Sequence, residues 1–275
     1  MPVATEPDPW LVPCYVVAIA FQLLFPLALA TWVRRRYPGA RWRFFGLGAV
    51  VFFVSQLLTR IPLIQLAQYF LRGALKRSTG LLVGWLAFAA VTAGLFEEVG
   101  RYLGFRWLWG SHSRDWESAV MYGVGHGGLE SMLLTGILSI LGLVNVLLLS
   151  RADLAKLPLS ATQLEQARAQ QAILLHTPGW KPLMSAVERL FAMAVQVSMS
   201  VLVLQCFVQR ALRWLWAALA YHALVDFVPV VLAQLLRIEQ DPGWKTLLVE
   251  AVVALFAVAS MAIIRRLRPS TDHAS

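Results

Sequence analysis

Charged residues are scarce in this chain. Asp, Glu, Lys and Arg together make up 14% of its 275 residues, whereas about 25% is usual for a soluble globular domain. Hydrophobic residues make up 59%, and the mean hydropathy is +0.65. They come in runs of about twenty or more, the length at which a helix crosses ~30 Å of hydrocarbon. The composition excludes a soluble globular domain and predicts an all-α, polytopic bundle of transmembrane helices.

Cysteines are few, and the usual nucleophile motifs are lacking. The two cysteines, Cys14 and Cys206, form no CxxC pair and predict no disulfide framework. The apolar runs contain no GxSxG, no Ser–Lys pair and no paired aspartates, which disfavours a serine or aspartyl protease. The net charge of +9 does not indicate a nucleic-acid partner, because the basic residues lie in short loops beside apolar runs, where lipid headgroups attract them.

The apolar runs predict about seven membrane spans in a single integral membrane domain over residues 1–275. The predicted spans are residues 10–33, 44–66, 80–103, 117–149, 184–207, 212–236 and 244–264. The second run continues past Arg60 and Pro62 to about Leu71, so we expect a kink or an interfacial segment there. The polar loop at 150–181 has room for one short helix.

Basic residues also predict the orientation. If the N-terminus is outside, the cytoplasmic loops and tail hold a small excess of Lys and Arg, including the cluster at 34–36 and the tail at 265–268. We therefore expect a multi-pass protein of the cell (inner) membrane, with its N-terminus outside and its C-terminus cytoplasmic.

Ionisable residues inside the spans carry the functional signal, because each costs about 2.5–3.5 kcal/mol at the bilayer centre. In the third span, Glu97 and Glu98 precede Arg101 by one helical turn. This pattern fits either a self-neutralising ion pair at a helix end or part of an active site.

Two further spans repeat this spacing with histidine. In the fourth span His126 and Glu130 are one turn apart, with Tyr122 one turn earlier. In the sixth span His222 and Asp226 are one turn apart. A carboxylate at this distance can fix the tautomer of the imidazole, or both groups can ligate a metal. Each pair can also be a structural pair that satisfies itself within the bundle.

The three spans place these groups at one depth. Counted along each helix, Glu98, His126 and His222 lie ~12–14 Å below the same membrane face, which favours one shared site. Imidazoles and carboxylates are the ligands of a Zn²⁺ site with an open position for water, and they also suit a metal-free Glu/His mechanism. Gly125 and Gly127 flank His126 and leave room for a neighbouring helix or a substrate backbone.

These residues resemble the YhfC-type members of the CAAX-protease-like (CPBP/ABI, PrsW-related) superfamily of intramembrane proteases. That pattern is a double glutamate with a nearby arginine, an aromatic residue four before a histidine, and a histidine four before Asn or Asp. Asp226 stands where the eukaryotic CAAX proteases have Asn, and two residues rather than three precede Arg101 after the double glutamate. The GHGGxE form around His126 is similar to the YhfC branch.

The resemblance implies hydrolysis of peptide bonds in a membrane-embedded or membrane-proximal peptide, with a Glu and a His activating water. The predicted site has three groups of residues. The catalytic group is Glu97, Glu98, Arg101, His126 and His222. The metal group, for Zn²⁺, is His126, Glu130, His222 and Asp226. The binding group is Tyr122, Gly125 and Gly127.

Three other functions are compatible with the same residues. A proton- or ion-coupled carrier would use them as a relay, although their common depth and the lack of inverted repeats speak against it. A haem protein would use His126 and His222 as axial ligands, although the nearby carboxylates disfavour that. A non-catalytic scaffold of the same superfamily would keep the residues without the activity.

Overall fold

The structure is a computed structural model that describes residues 6–110, 112, 114–238 and 243–269. Its regular elements are helical, and no strand occurs in these residues. In these residues, the eight helices longer than three residues are α1 (Leu11–Arg36), α2 (Trp42–Arg77), α3 (Thr79–Leu108), α4 (Trp116–Leu149), α5 (Ala161–Leu175), α6 (Lys181–Val208), α7 (Arg213–Leu236) and α8 (Trp244–Arg266). A short 3-10 turn, Leu154–Lys156, precedes α5.

Within the described residues, seven of these helices are long and apolar enough to cross a bilayer, and the exception is α5. The predicted all-α, multi-pass membrane architecture is confirmed. The short helix expected in the polar loop is α5, whose N-terminus is a capping box. The Ser160 hydroxyl accepts from the Gln163 N–H at 3.4 Å, and the Gln163 side chain accepts from the Ser160 N–H at 2.9 Å.

Two predicted spans are too short. The second was predicted to end near Leu66, but α2 continues to Arg77 and contains a π-helical stretch, Phe53–Arg60, just before Pro62. Proline has no N–H to donate, and an irregular turn next to it keeps the helix continuous. The third was predicted to end at 103, but α3 continues through a π-helical turn, Gly104–Leu108.

The described residues form two compact units. The first contains residues 6–25 and 131–189. In it, Gln22 donates from Nε2 to the Ser185 hydroxyl at 2.8 Å, and Ser131 donates to the Gln22 carbonyl at 3.0 Å. These are hydrogen bonds between helices of the kind that join polar residues in apolar spans.

The second unit contains the described residues of 26–130 and 190–269. The N-terminal part of α2 packs on the first half of α4, and α7 packs on both α3 and α8. Glycines allow the close approaches. A Cβ at Gly94 of α3 would lie 2.9 Å from the Leu219 carbonyl and 3.4 Å from the His222 Cβ. A Cβ at Gly123 of α4 would lie 2.6 Å from the Val197 Cα. Small residues therefore bring the polar faces of these helices together.

Candidate functional site

Ionisable side chains from α3, α4 and α7 meet inside the second unit. Glu97 and Glu98 extend from α3, His126 from α4 and His222 from α7, and each residue is 5% exposed or less. A buried carboxylate or imidazole requires hydrogen-bonding or ionic partners, because desolvation otherwise makes it costly. The partners of each group therefore define the site.

Glu97 is the centre of this cluster. Its Oε1 accepts from Gln56 Nε2 at 2.6 Å. Its Oε2 lies 2.9 Å from His126 Nε2, 3.3 Å from an Arg101 Nη2 and 3.4 Å from Gln196 Nε2. An ionised carboxylate only accepts hydrogen bonds, so the ring proton of His126 is assigned to Nε2. Four helices thus hold one carboxylate.

Glu98 pairs with the other histidine. His222 Nδ1 lies 2.7 Å from Glu98 Oε1, and Arg101 Nε lies 3.3 Å from Glu98 Oε2. The other ring nitrogen of His222 lies 3.8 Å from Glu97 Oε1 and 3.6 Å from Asp226 Oδ2. The imidazole of His222 is therefore surrounded by three carboxylates. Of these, Asp226 is the most exposed, with 40% of its side chain accessible.

Arg101 compensates the charge of both glutamates. It is fully buried and lies within 3.3 Å of each carboxylate. The far end of its guanidinium is held by α6. It donates to the Gln196 carbonyl at 2.9 Å, to the Ser200 hydroxyl at 2.8 Å and to the Gln196 side-chain oxygen. A cation buried this close to both carboxylates offsets part of the cost of burying them.

Three of these side chains offer ligands to a metal ion. One ligand atom each of Glu97, Glu98 and His222 lie within 4.8 Å of one another. In the described part of the chain, Glu98 Oε2 and His126 Nδ1 are buried without a hydrogen-bond partner, and Glu98 Oε2 keeps only its ion pair with Arg101 Nε at 3.3 Å. Carboxylate oxygen and imidazole nitrogen are the ligands of catalytic Zn²⁺ sites. The donor set fits a divalent ion of this kind.

The chain matches known proteins over most of its length. The family described as YhfC intramembrane metalloprotease matches residues 21–240, which include every residue of the cluster. The chain belongs to the YhfC family. It is 34% identical over 245 residues to the "Uncharacterized membrane protein YhfC" of Bacillus subtilis (strain 168), covering 89% of this chain and 90% of that protein. No solved structure matches the chain.

In this YhfC-family chain, the predicted metal ligands are not the three residues whose ligand atoms lie together in the structure. Among the described residues, His222 is the one member shared with the three-residue group. His126 pairs with Glu97 instead, and Glu130 accepts from Gln196 Nε2 at 2.6 Å. Spacing along α4 predicted that His126 and Glu130 share a face, but it could not show that a glutamine of α6 would contact that face.

Tyr122, predicted to bind substrate, lies in an aromatic cluster. Its ring packs against Phe105 and Trp109, with centroid distances of 4.9 and 5.6 Å. Its hydroxyl donates to the Arg101 carbonyl at 3.5 Å, and its side chain is fully buried. In the structure this tyrosine packs against α3, the helix that carries the two glutamates.

The glycines beside His126 serve helix packing in this structure. A Cβ at Gly125 would overlap the backbone of Phe45 on α2, and one at Gly127 would lie 2.8 Å from the Gln196 Cβ on α6. The space that the sequence predicted for a helix or a substrate is therefore filled by neighbouring helices. This close packing fixes the position of His126 opposite Glu97.

Several polar residues of the cluster were not among the predicted site residues. Gln196 and Ser200 are one turn apart on α6 and hold Arg101. Gln56 lies on the π-helical stretch of α2 and is itself held by Arg60, whose Nη1 donates to Gln56 Oε1 at 3.1 Å. Polar residues one turn apart within an apolar run were the available signal, because such residues need partners in a membrane.

Proposed function

We propose that the chain is an intramembrane metallopeptidase that hydrolyses peptide bonds of membrane-associated proteins or peptides. The observation that carries this proposal is the buried group of Glu97, Glu98 and His222, joined by His126 through Glu97. The family description supports it, since it names a metalloprotease. The free energy of burying these groups is a second line of support. Four ionisable side chains in apolar helices are costly to insert, and residues of this kind usually mark a functional site.

Glu97, Glu98 and His222 are the residues that would hold the ion. If bound there, Zn²⁺ would supply Lewis-acid polarisation of a carbonyl and activation of a water molecule for attack. The protein contributes the fixed geometry. Gln56 and Arg101 hold Glu97, and Arg101 also holds Glu98, so neither carboxylate can rotate away easily.

His126 and Arg101 have roles beside the ligands. Because Nε2 of His126 carries the proton toward Glu97, its Nδ1 keeps a lone pair that can hold a proton taken from the attacking water. That proton then passes to the leaving amine as the C–N bond breaks. Arg101 stabilises the negative charge that the two glutamates share during these transfers.

The substrate reaches the site from the lipid bilayer. Glu97 lies about eleven residues, or ~16 Å, before the C-terminal end of α3. This depth suits a peptide bond in or near a membrane-embedded segment. The topology proposed with this function has the N-terminus outside, the C-terminus cytoplasmic and the site nearer the cytoplasmic face. Placement in the wider CAAX-protease-like superfamily stays a prediction.

The first experiment measures metal content. The full-length protein is purified in detergent without added metal, and zinc is quantified by elemental mass spectrometry. We expect about one ion per chain in wild type and its loss in His222→Ala and Glu98→Gln. His176→Ala is the matched control, since this histidine is exposed, and it should keep the ion.

The second experiment measures cleavage of model transmembrane peptides in proteoliposomes, with the products identified by mass spectrometry. Glu97→Gln, Glu98→Gln, His126→Ala and His222→Ala should each lower the rate by about 100-fold or more. Full activity in all four folded variants would refute the proposal. Activity that needs these residues but survives chelation would assign the reaction to a metal-free Glu/His mechanism, and bound metal without any cleavage would indicate a scaffold.

A further inference from the structure

A concave region lies between α2 and α3, away from the carboxylate cluster. Its volume is about 470 Å³, and it is next to the tight connection at Ser78 that joins the two helices. Its walls come from the C-terminal part of α2 and the N-terminal part of α3. The residues used below are Gln68, Arg72, Lys76, Leu82, Trp85 and Leu86. This pocket has one basic end and one apolar wall.

The basic end has two cations and no carboxylate. Arg72 and Lys76 are one helical turn apart, and no Asp or Glu lines the pocket. Neither side chain forms an ion pair with a carboxylate among the described residues. Like charges at this spacing repel each other and destabilise a helix, and an anion between them removes that repulsion. The guanidinium of Arg72 is steadied by the Tyr69 ring, 4.3 Å below it.

Helix length places this end at the depth of lipid headgroups. α2 has 36 residues and is therefore ~54 Å long, more than the ~40–45 Å of a whole bilayer. Its last turns, with Arg72 and Lys76, extend beyond the hydrocarbon. Trp85 and Phe88, whose rings are 5.6 Å apart, lie on α3 like the aromatic residues that mark membrane interfaces. The apolar wall therefore extends from the headgroup level toward the bilayer interior.

We propose that this pocket binds one anionic phospholipid. The headgroup phosphate lies between Arg72 and Lys76, with Gln68 as an additional hydrogen-bond donor, and an acyl chain lies along Leu82 and Leu86. Lys and Arg side chains at headgroup depth attract anionic lipid headgroups electrostatically. The combination of two cations with an apolar wall commits the pocket to a lipid rather than to a free anion.

The pocket is separate from the proposed catalytic site. Leu86 precedes Glu97 on α3 by about eleven residues, which is ~16 Å along the helix. Lipid binding in this pocket therefore does not depend on peptidase activity at the carboxylate cluster.

Native mass spectrometry of the full-length protein in detergent tests the inference. Wild type is titrated with phosphatidylglycerol and with phosphatidylcholine of the same acyl chains, and we expect at least tenfold tighter binding of the anionic lipid. Arg72→Gln/Lys76→Gln should lose this preference. Ala89→Phe keeps both charges but fills the pocket, and it should weaken phosphatidylglycerol binding at least tenfold. Arg265→Gln/Arg266→Gln removes an exposed basic pair from another helix end and should bind like wild type.

Four results would overturn the inference. The first is equal affinity for the two lipids, and the second is unchanged binding in both pocket variants. The third is an equal loss in the Arg265/Arg266 control, which would indicate general surface attraction. The fourth is competition by millimolar inorganic phosphate, which would indicate a free-anion site. Unfolded variants are recognised by a changed charge-state distribution in the same spectra, and Leu86→Trp then replaces Ala89→Phe as the filling variant.

Discussion

Replacing Arg101 with methionine removes the buried cation that lies between two buried carboxylates. Arg101 is within 3.3 Å of both Glu97 and Glu98, and it donates further hydrogen bonds to Gln196 and Ser200. Methionine keeps most of the volume of the side chain, so packing changes little. The two adjacent glutamates lose their counter-charge. Removing one partner of a buried ion pair typically costs about 3–5 kcal/mol, and we expect a loss of that size in the free energy of unfolding.

Reversible unfolding in mixed micelles, with increasing SDS and a helix-content signal, measures this free energy. Arg106→Met is the matched control on the same helix, because Arg106 is exposed and makes one long hydrogen bond, 3.4 Å, to the Tyr102 hydroxyl. It should change stability far less. The double variant Arg101→Met/Glu97→Gln removes one of the stranded charges and should recover part of the loss.

An Arg101→Met variant as stable as Arg106→Met would refute the reasoning. It would mean that the carboxylates do not depend on Arg101 for their charge balance. No recovery in the double variant would show that the loss came from the contacts with Gln196 and Ser200 rather than from charge.

Further predictions concern packing, hydrogen bonding and metal. Gly48→Ala should lower unfolding free energy by about 1–3 kcal/mol, because its Cβ would overlap the backbone of α4, whereas Gly46→Ala has nothing within 4 Å and should be neutral or slightly stabilising. Gln196→Leu removes the amide that donates to Glu130 at 2.6 Å and should cost about 1–3 kcal/mol in the same unfolding assay. Zn²⁺ at 100 times its Kd should raise the stability of wild type by about 2.7 kcal/mol but should not stabilise His222→Ala, and chelation should reverse the gain.

The sequence predicted the architecture well because run length alone decides whether a helix can cross a bilayer. It predicted the ends of α2 and α3 poorly, because a helix continues as long as its backbone hydrogen bonds do, whatever its hydropathy. The residues from Leu66 to Arg77 are too polar to be identified as a span, yet they remain helical. The π-helical stretches were not predicted, because neither has a composition of its own.

For the candidate site, helix spacing and depth predicted that Glu97, Glu98, His126 and His222 share one place, and the structure brings these four side chains together. They could not show which histidine would pair with which glutamate. That choice depends on the rotation of each helix, which is fixed by the glycine contacts of α3 and α4 with their neighbours. Helix rotation also brings the Gln196 amide between the carboxylates of Glu97 and Glu130. No pattern within a single helix reveals a contact of this kind.

The central claim is that the buried carboxylate–histidine group binds a metal ion and hydrolyses peptide bonds. The most direct test follows cleavage of a model transmembrane peptide by mass spectrometry before chelation, after chelation and after return of Zn²⁺, in wild type and His222→Ala. We expect wild type to lose cleavage on chelation and to regain it with Zn²⁺, while His222→Ala is inactive throughout. Cleavage by folded His222→Ala, or by wild type unaffected by chelation, would contradict it.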